Sequence, residues 1–107
     1  MDYTQAETIT ALVATVAERS GGRIDALGTN GAYGQPGAVE DLSTETLRAQ
    51  FETNVFGWHE LTRQVIPYMR RQGHGRIVQC SSILGLVPYR FRGAYTASKF
   101  AIEGLSV

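Results

Sequence analysis

The chain has 107 residues, ten Lys and Arg balanced by ten Asp and Glu, a formal net charge of zero and a pI near 6.7. With no block of one sign, nothing draws it to nucleic acid or to an anionic membrane; Arg70-Arg71 and Arg90-Phe91-Arg92 are too short to converge on a phosphate backbone. No apolar run approaches the ~20 residues of a membrane-spanning helix, the start of the chain is acidic and polar rather than a basic and apolar leader, and the lone Cys80 has no partner for an internal disulfide, so a reducing compartment, the cytoplasm, is expected.

The first predicted element is a helix over about 5–19. Thr4 and Glu7 fit a capping box, Ile9, Leu12, Val13 and Val16 recur at helical spacing, and Gly21-Gly22 stops the pattern. Residues 24–29 are short, mostly apolar and flanked by glycine, which suits a buried parallel strand. A loop follows, punctuated by Gly31, Gly34, Pro36 and Gly37.

Ser43 then caps a long helical stretch in which Leu47, Phe51, Val55, Trp58, Leu61, Val65 and Met69 return every three or four residues. Asn54, Gly57 and Pro67 interrupt it, and Pro67 is expected to kink its last turns. After Gly73 and Gly75, residues 76–81 form a second strand, 83–93 a loop containing Pro88, and 94 onward a final helix. The order predicts β-α units, hence an α/β fold in which a parallel sheet has helices on both faces and two open strand edges.

Within the last helix, Tyr95 and Lys99 are four residues apart and therefore share a face. An ammonium beside a phenol favours the phenolate, which suits the phenol to general acid and base work. Ser82, thirteen residues before Tyr95, supplies a hydroxyl from a separate segment that could hold a carbonyl or alcohol oxygen against it. The alternative for Tyr95 is an aromatic packed on the core, and for Lys99 an ordinary surface lysine. Asn54 is a weak helix former inside an apolar stripe, either facing solvent without a duty or marking a locally opened helix. His59 and His74 lack companions at ligand spacing, so no metal is expected. Cys80, next to apolar strand residues, reads as a buried inert thiol.

Gly75 to Ser82, followed by Tyr95-Thr96-Ala97-Ser98-Lys99 and the residues to Gly104, resembles the catalytic region of the short-chain dehydrogenase/reductase family. Thr29-Asn30-Gly31-Ala32 sits where that family carries an Asn-Asn-Ala-Gly turn, and Asn54-Val55-Phe56-Gly57 is similar to its mid-helix Asn-Val-x-Gly. The resemblance implies a Rossmann-like, doubly wound parallel sheet. It also implies NAD or NADP as cofactor, a small carbonyl or alcohol as substrate, and hydride transfer with Tyr95 as general acid and base.

By the same resemblance Asn54, Ser82, Tyr95 and Lys99 are the catalytic set. Lys99 and Tyr95 also face the nicotinamide ribose, Asn54 relays protons through a water held by a freed backbone carbonyl, and the spacing to Tyr95 selects Ser82 over Ser81. Asn30, Gly31 and Ala32 line the cofactor cleft, although Thr29 and the order Gly31-Ala32 depart from the family's turn. Asp2 is similar to the aspartate that meets the adenine ring. The family's glycine-rich pyrophosphate turn is not found in the 107 residues. The expectation is therefore a partial nucleotide-binding domain over 1–107, with two strands and about three helices of the full fold, impaired cofactor binding, and a homo-oligomer in the full-length form. The alternative is a non-catalytic product or oligomerisation module of the same fold, and an epimerase or dehydratase using the same Tyr-Lys pair is a third reading.

Overall fold

A computed structural model describes residues 1–107. The first helix, α1, spans Ala6–Ser20 and closes on Gly21, whose φ of 67° places it in the left-handed region that glycine tolerates. The expected Thr4–Glu7 capping box does not form: Gln5 is the N-cap and offers no side-chain bond. Thr8 takes over instead, accepting from the Asp2 N–H at 2.8 Å, while the Thr4 hydroxyl donates to the Asp2 carboxylate at 2.7 Å.

Strands β1, Ala26–Thr29, and β2, Arg76–Gln79, pair in parallel with Leu27 opposite Ile77 and Gly28 opposite Val78. Both are shorter than the sequence pattern predicts. The ladder is carried one residue further at each end, by Arg76 N–H to Asp25 O at 3.0 Å and Cys80 N–H to Thr29 O at 2.9 Å. Alternation turns Leu27 and Ile77 inward, onto a cluster built by Ile9 and Val13 of α1, Ile24, and Leu61, Val65 and Met69 of the long helix. Burying each such side chain is worth about 1.5–3 kcal/mol. Within these residues the opposite face carries no helix: Val78 is 66% exposed.

The long helix runs in three parts. Segment α2, Thr44–Phe51, starts on Ser43, whose hydroxyl accepts from Thr46 N–H at 3.0 Å. A π-helical turn occupies Glu52–Phe56, and α3 continues over Gly57–Gln72. Pro67 lies inside α3 without ending it, and the helix stops at Gly73, φ 78°. Helix α4, Gly93–Leu105, packs on the π turn, on α2 and on a short 3-10 turn at Ile83–Gly85 within the predicted loop. No helix is long and apolar enough to cross a membrane.

Candidate active site

Two parallel strands end side by side at their carboxyl ends, and the chain leaving each must splay apart, opening a cleft of about 480 Å³. Asn30, Ala32 and Gly34 line it from the loop after β1, Cys80 and Ser81 from the segment after β2, and Tyr95 and Lys99 from α4. The four-residue spacing read in the sequence thus brings phenol and ammonium into one hollow.

Lys99 is 2% exposed. Its Nζ donates to the Cys80 carbonyl at 2.8 Å and lies 4.4 Å from the centre of the Trp58 ring and 5.6 Å from that of Tyr95. Cation–π attraction and one carbonyl therefore hold a cation that has been taken out of water. Burial lowers its pKa below the usual lysine value, while the neighbouring Cys80 pulls weakly the other way. Only one of its three donors is used within the fold, which leaves N–H groups for a bound molecule.

Asn54 is fully buried, not solvent-facing, and sits in the π turn. Its amide Nδ2 donates to Tyr33 O at 2.8 Å and to Ser98 Oγ at 3.1 Å, and its Oδ1 accepts from Tyr33 N–H at 3.2 Å. Two neighbours on the helix do the same work. Gln50 accepts from Gln35 N–H and donates to Tyr33 O, both at 2.8 Å, and Trp58 Nε1 donates to Gly31 O at 2.8 Å. Helix residues 50, 54 and 58 thus hold loop residues 35, 33 and 31. Gln50 was not singled out from the sequence and Trp58 was read only as part of the apolar stripe; the recurrence of hydrogen-bonding side chains every four positions was the signal.

The remaining candidates divide. Ser81, not Ser82, lines the cleft, and its hydroxyl is buried without a partner. Ser82 Oγ caps the 3-10 turn by accepting from Leu84 N–H at 3.2 Å, which leaves its own O–H to donate. Gly31 lies behind the wall: a Cβ there would come within 2.7 Å of the Tyr3 ring. Asp2 does not line the cleft, and its carboxyl is held below the usual range by Thr4. Cys80 corrects the sequence reading, because it is exposed rather than buried: it lies just past the last strand residue, where β2 leaves the sheet.

Over residues 1–107 the sequence matches the short chain dehydrogenase family. The chain belongs to that family. This short-chain dehydrogenase chain is 42% identical over 85 residues to the 3-ketodihydrosphingosine reductase of Bacteroides thetaiotaomicron, covering 79% of its own length and 32% of that protein. It is 42% identical over 83 residues to retinol dehydrogenase 8 of Homo sapiens, covering 78% of its own length and 27% of that protein. A crystal structure of a short-chain dehydrogenase from Streptomyces avermitilis superposes with a TM-score of 0.94 at 40% identity, over 99% of this chain and 39% of the other. The chain therefore spans about a third of the length of the relatives it matches. Its α/β architecture is an incomplete Rossmann fold of the dehydrogenase kind.

Proposed function

We propose that this chain carries the catalytic part of an NAD(P)-dependent oxidoreductase that interconverts a carbonyl and an alcohol, with Tyr95 as proton donor and acceptor. The observation that carries the reading is the shared cleft of Tyr95, Lys99 and the serine segment at the carboxyl ends of both strands. The residues present suit the nicotinamide end of a dinucleotide: small side chains at Ala32 and Gly34 leave room for a ring, and the free donors of Lys99 match ribose hydroxyls. When bound, the reduced nicotinamide supplies hydride to the carbonyl carbon.

The chain's own residues do the rest. Tyr95 gives its hydroxyl proton to the oxygen on which negative charge develops, and takes it back in the oxidative direction. Lys99 keeps positive charge against the Tyr95 ring, fixed there by Trp58 and the Cys80 carbonyl. Ser82, next to the cleft-lining Ser81 and with its O–H unused by the turn it caps, donates that O–H to the substrate oxygen. Asn54 holds the Tyr33 backbone and thereby the wall opposite Tyr95, and the widened turn around it suits a water-bound carbonyl for proton exchange with solvent. Because the family's glycine-rich turn is not found in residues 1–107, the chain by itself holds NADH and NADPH weakly.

A transplant tests this. Residues of this chain replace the matching stretch of the Bacteroides reductase, and carbonyl reduction is followed by nicotinamide fluorescence. Tyr95→Phe is expected to lower the rate about 10²–10⁴-fold, with Ser82→Ala falling further than Ser81→Ala. A folded, cofactor-binding transplant that works equally well after Tyr95→Phe overturns the assignment, and a larger loss in Ser81→Ala moves the orienting role to Ser81.

A further inference from the structure

We propose that Arg92 recognises an anionic group, a carboxylate or phosphate, on the substrate, which makes the substrate class acidic carbonyls or alcohols; this rests on the oxidoreductase reading above. The cleft is lined by two cations, Arg92 and Lys99, and by no carboxylate. Lys99 is held by the Cys80 carbonyl and the two aromatic rings, and its remaining donors are assigned above to ribose hydroxyls. Nothing in the fold takes the Arg92 guanidinium: the ion pairs of the chain use Arg23, Arg63 and His74. Its five donors are free to grip an oxyanion, and a guanidinium fork matches a carboxylate or phosphate edge.

Position supports the role. A Cβ built on Gly34 would meet the Tyr95 ring at 3.4 Å and Arg92 Nη1 at 3.9 Å, so phenol ring and guanidinium flank one glycine. The backbone around Arg92 is pinned on every side. Its N–H donates to Tyr89 O at 3.2 Å, its carbonyl accepts from Thr96 N–H at 2.8 Å, and Gly37 N–H donates to Phe91 O at 2.9 Å. Phe91 itself adopts φ 59°, the left-handed region that side chains disfavour, yet the residue is 65% exposed. Packing does not repay that strain; what the turn achieves is to deliver Arg92 to the cleft mouth.

The test is a nuclear magnetic resonance titration of the isotopically labelled 107-residue chain with levulinate, its methyl ester and inorganic pyrophosphate. Levulinate is expected to move the Arg92 side-chain and Tyr95 signals and to bind about tenfold or more tighter than the ester. Arg92→Gln should erase that difference and Arg92→Lys, which keeps charge but not the fork, should retain part of it. Both variants keep the fold, since the side chain makes no bond within it; unchanged Ile9 and Val65 methyl signals verify this. Equal binding of acid and ester, or binding of neither, overturns the proposal. Displacement of levulinate by pyrophosphate at comparable concentration is expected of an oxyanion site, whereas pyrophosphate binding at Arg92 about a hundredfold or more tighter than levulinate overturns the proposal, by assigning the guanidinium to a cofactor phosphate. These outcomes are separate from the Tyr95→Phe transplant: an unchanged rate there with levulinate still bound at Arg92 overturns the role of Tyr95 and leaves the anion site standing.

Discussion

Lys99 is the group whose chemistry depends most on where the fold puts it. Unfolded, it keeps its proton up to the ordinary 10.5; folded, burial makes it release the proton sooner. Between those two points the unfolded chain binds more protons than the folded one, so this residue makes stability rise with pH in a window ending at about 10.5. Lys99→Met should flatten that rise, measured as urea unfolding across the window. Tyr3, whose phenol is raised by burial, acts in the opposite sense above pH 10, so the comparison is the difference between the two proteins. Parallel curves would contradict the burial account. Tyr95 and Lys99 were legible in the sequence because four-residue spacing on a helix needs no tertiary information. The exposure of Cys80 was not, because where a strand ends and which way its next side chain turns are decided by pairing across the sheet.

At the scale of the element, the π turn explains both a success and a miss. The apolar period correctly marks one long helix, and Asn54 marks the place where it opens. One surplus residue, however, shifts the phase of all that follows by about 100°. Leu47 and Phe51, in line with the stripe on an unbroken helix, swing aside and Leu47 is 38% exposed, while Gln50 and Asn54 turn fully inward. A reading that assumes one constant period cannot see Gln50. Removing its amide leaves the Gln35 N–H without an acceptor, so Gln50→Leu should destabilise the chain by about 1–3 kcal/mol and speed hydrogen exchange at Gln35. If that exchange is unchanged, the helix-to-loop ladder does not hold the cleft wall. Pro67 stays inside the helix, since turns packed on the core outweigh one lost bond.

As a whole, the molecule is a slab. Its Cα extents are 49 × 26 × 14 Å and its radius of gyration is 15.3 Å, against about 13 Å for a compact chain of this length. It exposes 6882 Å², against about 5,900 Å² for a compact monomer of its mass. The surplus, about 1,000 Å², is comparable to one side of a stable interface, and the bare sheet face with Val78 is part of it. Anilinonaphthalene sulfonate should therefore fluoresce strongly with the 107-residue chain at neutral pH, and an unchanged dye spectrum would contradict this picture. Parallel pairing and the α/β order were legible in the alternation of elements, whereas the bare side was not, since periodicity says which residues are apolar and not what covers them. In a living cell such a face is what chaperones and proteases read as unfinished work. How much of this polypeptide accumulates when made by itself is governed by how fast Val78 and its neighbours are shielded, before any chemistry at the phenol begins.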